Sequence, residues 1–290
     1  MHATERPTLA VIGLGRLGQT LAQAWSAQGE AVVAVASRSA TTSEAMAAQL
    51  PGCKAMTPEQ AAAAAELVFL CVPDDAIAPL CADLPWRAGQ AVVHCSGATE
   101  LSALDTAARA GARVGGFHPL QIFSDPALAL QLLPGSAVAI EAEPALQAEL
   151  QRLAQGLGMK PLQLQPGTRA AYHGAASFAA SFLLSMLDEA VQVWARIGLP
   201  QELALEALLP LAKGTLQSAQ ARGLAGALAG PISRGDAGVV GAHLAAFDAL
   251  GGEHGLFYRA LSRRQLGLAR EAGRLSDEQL QRLVALLDRP

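Results

Sequence analysis

Short, wholly apolar segments alternate with helical patterns over residues 8–165, and this alternation limits the possible folds more than any other feature. The apolar segments predict β-strands at Leu9–Ile12, Ala31–Ala36, Leu67–Val72, Ala91–Cys95, Val114–Phe117, Ala137–Ile140 and Leu162–Leu164. Strands without a polar face are typical of parallel sheets that helices cover on both sides. The sequence therefore predicts an α/β domain with a mainly parallel, doubly covered sheet.

The pattern becomes entirely helical after Pro166-Gly167. One helical stretch is predicted from Thr168 to Ile197, about 30 residues. Its most apolar part, Gly174–Leu187, predicts a buried helix, since it is shorter than the roughly 18 residues of a membrane span. More helical segments follow, and the last starts with a capping box at Ser276; a capping box at Thr57 likewise starts a predicted helix of the α/β part. We therefore expect an α/β domain over residues 1–166 and an all-helical domain over residues 167–290.

Composition narrows the possible classes of protein. Of 290 residues, 51% are hydrophobic and 16% are charged, which is typical of folded proteins. The net charge is -4 and no run of like charges occurs, so nucleic acid is not an expected partner. The segment 1–7 lacks the basic start and apolar stretch of a signal peptide, which predicts a cytoplasmic location without a membrane partner.

The four cysteines, Cys53, Cys71, Cys81 and Cys95, form neither a CxxC motif nor a cluster with histidines. Cys71 and Cys95 fall within predicted strands. We therefore interpret the cysteines as core residues, with disulfide or zinc ligation as the alternative, and predict no metal site.

A glycine-rich turn follows the first predicted strand and leads into a helical pattern. It consists of Gly13, Leu14, Gly15, Arg16, Leu17 and Gly18, with the spacing G-x-G-x-x-G. In a dinucleotide-binding βαβ unit these glycines permit the tight turn, the approach of a pyrophosphate and the packing of helix on strand. The N–H groups at the helix start also favour an anion. We expect these residues to bind a dinucleotide; a merely structural glycine turn is the alternative.

The second predicted strand ends in Ser37-Arg38-Ser39, without the acidic residue that binds the ribose 2′-hydroxyl of NAD. The guanidinium of Arg38 suits a 2′-phosphate, and the hydroxyls of Ser37 and Ser39 can donate to the same oxygens. This segment predicts NADP as the cofactor. The alternative is an arginine that is simply solvated.

Two further predicted strands end in Val72-Pro73-Asp74-Asp75 and in Cys95-Ser96-Gly97. Ligands bind outside the carboxyl ends of parallel strands. We therefore expect the nicotinamide half of the cofactor to border on Val72, Pro73, Ser96 and Gly97, and we include Ser96 among the candidate catalytic groups. Asp74 and Asp75 are better interpreted as acidic residues at a helix start.

His118 follows another predicted strand and precedes a proline that we expect to hold a turn. An imidazole near its ordinary pKa of about 6.5 can protonate the anion formed by hydride delivery. The alternative is a buried histidine that ties the loop together. Gln121 is a candidate to orient either His118 or a substrate.

The N-terminal half resembles the NADP-binding domain of pyrroline-5-carboxylate reductase, ketopantoate reductase, the β-hydroxyacid dehydrogenases and the deazaflavin-dependent NADP oxidoreductases. Three later motifs resemble a bacterial family of Rossmann-like oxidoreductases with a C-terminal domain of unknown function. They are His118-Pro119-Leu120-Gln121-Ile122-Phe123, Ala171-Tyr172-His173-Gly174-Ala175-Ala176 and Gly230-Pro231-Ile232-Ser233-Arg234-Gly235-Asp236. The resemblance implies a fold like 6-phosphogluconate dehydrogenase, with a helical C-terminal domain that forms a homodimer.

The resemblance also draws attention to Tyr172 and His173. The β-hydroxyacid dehydrogenases carry a catalytic lysine near the start of the equivalent helix, which this chain lacks; its lysines are Lys54, Lys160 and Lys213. The resemblance therefore implies that His173, or else Tyr172, supplies the proton, with His173 narrowly favoured. A tyrosine and a histidine that only pack against the neighbouring domain are the alternative.

The segment Gly230–Asp236 has the composition of a tight loop, and Asp236 is a predicted N-cap. Neither feature explains Arg234, which we consider a candidate anchor for a substrate carboxylate. Taken together, the motifs predict an NADP(H)-dependent oxidoreductase acting on a small carbonyl, imine or hydroxy-acid substrate in an interdomain cleft. A non-catalytic, NADP-responsive binding or regulatory protein is the alternative.

Overall fold

The computed structural model describes residues 6–288, and these divide between Ser177 and Phe178 into two compact units, residues 6–177 and 178–288. This division does not test the domain boundary predicted near residue 166, since a domain is a unit that can fold by itself.

The N-terminal unit is built on one sheet with the strand order β3-β2-β1-β4-β5-β6-β7-β8. Neighbouring strands are parallel except β6 and β7, which are antiparallel. The α/β prediction is therefore confirmed, although the two-residue edge strand β3 was not predicted. The strands β1 to β8 are Leu9–Ile12, Val32–Ala36, Lys54–Ala55, Leu67–Leu70, Ala91–His94, Arg113–Leu120, Ala137–Ala142 and Lys160–Gln163.

Helices cover both faces of this sheet. Along β1, Leu9 and Val11 belong to one buried core, while Ala10 and Ile12 belong to the other, as the two-residue period of a strand requires. The predicted capping box at Thr57 starts α3. A 3-10 turn spans Leu101–Leu104, and the helices α1 to α7 are Arg16–Ala27, Ala40–Ala47, Pro58–Ala64, Asp74–Asp83, Asp105–Arg109, Pro126–Leu132 and Pro144–Gly156.

The described residues from 167 onward contain no strand, as predicted. Within this part, Val240, Leu244 and Leu283 belong to a small buried core, and the capping box at Ser276 starts the last helix. The helices α8 to α14 are Arg169–Ala179, Ser181–Arg196, Gln201–Ala227, Pro231–Arg234, Ala237–Leu250, His254–Glu271 and Asp277–Leu287.

The prediction of one continuous helix from Thr168 to Ile197 is wrong. Ala180 has φ -117° and ψ -92°, which breaks the stretch into α8 and α9. The prediction that Gly174–Leu187 is buried is also wrong, since Phe178 is 71% exposed and Leu184 is 67% exposed. By length and composition alone, the segment Arg169–Arg196 is apolar enough to cross a membrane. One such segment is only weak evidence for a membrane span.

Candidate functional site

The glycine-rich turn has the geometry that a dinucleotide requires. Gly13 has φ +102°, and a Cβ there would lie 2.5 Å from the carbonyl oxygen of Cys71. A Cβ at Gly18 would collide with the carbonyl oxygen of Gly13, so Gly18 permits α1 to pack against the turn. A Cβ at Gly15 would meet open space, and no side chain caps the N-terminus of α1, which Gly15 precedes. The turn therefore presents free N–H groups to an anion.

A cavity of about 730 Å³ opens beside this turn. Gly13, Leu14 and Gly15 line it together with Val72 and Pro73, which follow β4. The cavity also includes residues that sequence patterns did not identify, because these lie on helices whose orientation is set by packing: Thr42, Pro58, Ala76 and Leu80.

The segment Ser37-Arg38-Ser39 also lines the cavity. Arg38 is exposed and has no hydrogen bond or ion pair within residues 6–288. The Ser37 hydroxyl donates to the carbonyl oxygen of Ser39 at 2.7 Å, and the Ser39 hydroxyl caps α2 by accepting from the N–H of Thr42 at 3.2 Å. Ser37 therefore already uses the proton that we expected it to donate to a phosphate.

Cys71 and Cys95 directly follow the neighbouring strands β4 and β5, and their side chains lie next to each other. Cys71 lines the cavity, and its Sγ lies 3.5 Å from Sγ of Cys95; both thiols are free. Ser96, the next residue, is buried. Its hydroxyl accepts from the N–H groups of Ala98 and Thr99 and lies 2.9 Å from the Thr99 hydroxyl. Ser96 thus stabilises the loop after β5 with the group that we considered catalytic.

His118, Tyr172 and His173 meet at this strand end. Nδ1 of His118 lies 3.1 Å from the Tyr172 hydroxyl, and the rings of His118 and His173 have centroids 5.6 Å apart. A Cβ at Gly97 would lie 2.8 Å from Nε2 of His118 and 2.5 Å from Cδ2 of His173. Gly97 therefore allows both imidazoles to approach the main chain. We call His118, Tyr172 and His173 the histidine-tyrosine-histidine cluster.

The position of His118 differs from the prediction. Strand β6 continues to Leu120, so His118 does not follow a strand end and Pro119 does not form a turn. Pairing of β6 with β5 stops at Gly116, whereas pairing with β7 continues to Leu120. The His118 side chain therefore projects beyond the last parallel pair while its main chain is held by β7.

Burial and neighbouring charges control the protonation of this cluster. Burial lowers the pKa of His118 to about 4, assisted by His173 and Arg169 and opposed by Asp74. Burial raises the pKa of the Tyr172 hydroxyl, while Arg169 opposes this shift. At neutral pH the imidazole of His118 is therefore uncharged, and its ring nitrogen can accept a hydrogen bond from the Tyr172 hydroxyl.

Sequence comparison matches residues 3–119 to the Rossmann-like domain and residues 136–265 to a domain of unknown function, DUF2520. The chain is a Rossmann-like domain joined to a DUF2520 domain. The resemblance inferred from the three motifs is thereby confirmed. His118 belongs to the Rossmann-like match, and its partners Tyr172 and His173 belong to the DUF2520 match. No curated protein matches the sequence.

Solved structures show the same fold. Protein TM1727 from Thermotoga maritima is 22% identical, with a TM-score of 0.76 over 92% of this chain and 100% of the other. A reductive aminase from Aspergillus terreus, in complex with NADPH and ethyl levulinate, is 18% identical, with a TM-score of 0.63 over 97% and 92%. A V8 variant of an imine reductase from Myxococcus stipitatus, in complex with NAD+, is 19% identical, with a TM-score of 0.63 over 96% and 99%.

Two predicted site residues have other surroundings. The Gln121 amide donates to the carbonyl oxygen of Leu132 at 3.2 Å and accepts from the N–H of Ile122 at 2.8 Å, so it supports the loop after β6. Arg234 is exposed in the C-terminal unit and ends the one-turn helix α11, where we expected a loop.

Asp236 caps α12 as predicted, accepting from the N–H of Val239 at 3.0 Å. Asp74 and Asp75 lie in the first turn of α4, also as predicted.

Three buried polar residues near the cluster were missed by the sequence analysis: His94, Glu141 and Arg169. Arg169 precedes Tyr172 by three positions and His173 by four, a spacing that places all three on one face of a helix. That spacing was available in the sequence. The burial of Arg169 was not, because charged side chains are usually exposed.

Proposed function

We propose that the protein is an NADP(H)-dependent oxidoreductase that reduces a small carbonyl or imine compound. The observation that carries this proposal is a dinucleotide-type cavity together with a histidine-tyrosine-histidine cluster that packs on Gly97, two residues after Cys95. The NADPH in the reductive aminase structure supports the choice of cofactor.

The residues present fit this cofactor. The uncapped start of α1 and the open space at Gly15 suit a pyrophosphate. The unpaired guanidinium of Arg38 suits a 2′-phosphate, while Val72, Pro73 and Gly97 would hold the nicotinamide half. When bound, the cofactor supplies the hydride; the protein must bind and orient the substrate and supply a proton.

The geometry favours Tyr172 as the proton donor, where the resemblance favoured His173. The Tyr172 hydroxyl is hydrogen-bonded to His118, whereas His173 is exposed and has no hydrogen-bond partner among the described residues. An uncharged His118 is a poor acid at neutral pH, but its ring nitrogen accepts from the Tyr172 hydroxyl and so orients it, and the proton that Tyr172 gives up is replaced from solvent. We retain His173 as a second donor to be compared with Tyr172.

The test is single-turnover oxidation of NADPH with a panel of small ketones, aldehydes, imines and oxo-acids. General-acid catalysis typically contributes about 10² to 10⁴ in rate, so we expect Tyr172→Phe to slow the reaction at least about 100-fold with little change in NADPH affinity. His173→Gln, compared under the same conditions, should slow it less.

The chain offers a matched control. Its other tyrosine, Tyr258, also bonds a histidine, with 2.9 Å between its hydroxyl and Nδ1 of His243, but lies in the C-terminal unit. Tyr258→Phe should leave the rate within about twofold. Equal rates for wild type and Tyr172→Phe would exclude Tyr172 as the donor.

A non-catalytic NADP-responsive protein is the second candidate function. It is favoured by the positions of the lysines, since Lys54, Lys160 and Lys213 lie on β3, β8 and α10 and none of them lies on α8, which carries Tyr172 and His173. Tight NADPH binding without oxidation by any compound of the panel would support this candidate.

We also propose a homodimer formed through the C-terminal unit. The support is apolar surface: Leu211 is 68% exposed, Leu216 57% and Leu224 69% along α10. Light scattering at micromolar concentration should give twice the chain mass of 29.8 kDa. A mass of 29.8 kDa would contradict the dimer.

A further inference from the structure

Two buried polar residues lie on either side of a glycine, on three neighbouring strands near the histidine-tyrosine-histidine cluster. His94 on β5 pairs with Gly116 on β6, and Gly116 pairs with Glu141 on β7. Paired residues of neighbouring strands point to the same face of a sheet. His94 and Glu141 therefore flank a position that has no side chain.

The guanidinium of Arg169 occupies that position. A Cβ at Gly116 would collide with Nη2 of Arg169, so only glycine leaves the required space. The side chain of Arg169 is 0% exposed; its Nε donates to Glu141 at 2.6 Å and its Nη1 donates to the carbonyl oxygen of Ser96 at 2.9 Å. One arginine at the start of α8 thus bonds both β7 and the loop after β5.

The main chain around Arg169 is held as well. Glu100 accepts from the N–H of Gly167 at 3.2 Å and from the N–H of Arg169 at 3.2 Å. These bonds satisfy N–H groups that a helix start leaves without partners. The main chain before and at the first turn of α8 is therefore attached to the loop after β5, and the Arg169 side chain attaches that turn to the same loop and to β7.

We propose that Arg169 is a positioning residue that holds α8 so that the hydroxyl of Tyr172 meets Nδ1 of His118. Tyr172 and His173 follow Arg169 by three and four residues, on the same helix face, so the anchored turn sets their distance from β6. This inference rests on the proposed function only for its kinetic consequence.

The charge of Arg169 acts in the same direction as its geometry. Together with burial and His173, Arg169 opposes protonation of His118, which keeps the ring nitrogen free to accept from Tyr172; Asp74 on α4 acts in the opposite direction. His94, beside the guanidinium, has its pKa lowered to about 3 by burial, Arg169 and His118. Removal of the Arg169 charge should therefore raise the pKa of His118.

The test removes both charges of the buried pair, in the variant Arg169→Met/Glu141→Met. A single substitution would leave one buried charge without a partner, which destabilises proteins more than the loss of the pair. The control Arg152→Met/Glu30→Met removes a different ion pair of the same unit, which is joined by two bonds with N–O distances of 2.6 and 2.8 Å and whose residues do not line the cavity.

Four measurements separate positioning from general stabilisation. We expect the Arg169 double variant to reduce the rate of NADPH oxidation about 10- to 100-fold, as misplaced groups commonly do, with NADPH affinity within about twofold. We expect the pKa of His118, followed by NMR of its imidazole, to rise above about 4. The nuclear Overhauser effect between the rings of His118 and Tyr172 should disappear. The control should leave all four quantities as in wild type.

An unchanged pKa of His118 together with a retained His118–Tyr172 contact would overturn the inference, even if the protein oxidises NADPH. Conversely, changed NMR signals in a protein that oxidises no NADPH would refute the proposed function and leave the inference standing. If the double variant does not fold, the variant Arg169→Lys tests the inference instead. Lysine keeps the positive charge but lacks the planar guanidinium that donates to Glu141 and Ser96 at once. It should lose the His118–Tyr172 contact; retention of that contact would overturn the inference.

Discussion

The N-terminal and C-terminal units use apolar residues in different ways. In the sheet unit, strands such as β1 and β4 are buried along their whole length, and both faces contribute to a core. In the C-terminal unit, Ala204 is the only buried residue of the 27 in α10, and none of α9 is buried. Most of the exposed large apolar side chains among the described residues accordingly lie beyond residue 177.

This difference follows from the layers that each unit provides. A parallel sheet covered by helices on two sides buries both faces of its central strands. A helix packed on one side buries only one stripe and leaves the rest for another partner. The same residue type, glycine or leucine, therefore has different consequences in the two units, and substitutions can measure that difference.

The largest effect is expected for Gly18→Ala in the sheet unit. The added Cβ would collide with the carbonyl oxygen of Gly13, which cannot move without opening the turn. We expect a loss of about 3 kcal/mol or more in the free energy of unfolding, together with loss of NADPH binding. Urea unfolding and calorimetric titration measure the two. If Gly18→Ala were as stable as wild type, the turn would be less tightly packed than the contrast between the two units requires.

The next effect concerns pH and the histidine buried in the sheet unit. The folded-state pKa of His94 is lowered to about 3, so as pH falls below about 6.5 the unfolded chain takes up a proton that the folded chain refuses. This linkage should cost about 2 kcal/mol of stability at pH 5. His94→Leu, which cannot titrate, should show a smaller loss between pH 7.5 and pH 5 in urea unfolding. Identical losses would contradict the assignment to His94.

A smaller effect is expected for Arg38→Ala, because Arg38 lies on the surface of the same unit. Because a charge-assisted fork to a phosphate is worth at least about 1.4 kcal/mol, wild type should bind NADPH at least tenfold more tightly than NADH. The variant should lose most of that preference while its stability stays within about 0.5 kcal/mol. Equal dissociation constants for the two cofactors in wild type would refute the cofactor assignment.

The smallest effect, of opposite sign, is expected for Gly214→Ala in the C-terminal unit. A Cβ at this position of α10 would meet nothing within 4 Å. Alanine is favoured over glycine within a helix, so we expect the free energy of unfolding to rise by about 0.5–1 kcal/mol, as measured by thermal unfolding. A loss of stability would indicate that a second chain packs closely on α10, which would sharpen the comparison in favour of the proposed dimer.

The helix break at Ala180 illustrates a limit of sequence patterns. Residues 168–197 carry no glycine or proline signal near this position, so the periodicity predicts one helix. The exposure of α9 could not be predicted either, because an apolar stripe indicates that a face needs a partner without indicating which part of the structure supplies it.

The sequence by itself determined the order of strands and helices in the Rossmann-like domain, the glycine turn and the caps at Thr57, Asp236 and Ser276. These features depend on local backbone preferences, which neighbouring residues specify. Only the tertiary structure decided that His94, Gly116 and Glu141 share one register and that Arg169 fills the gap between them. Strand register and burial depend on residues distant in sequence, and so the partners of His118 could be identified only after the chain had folded.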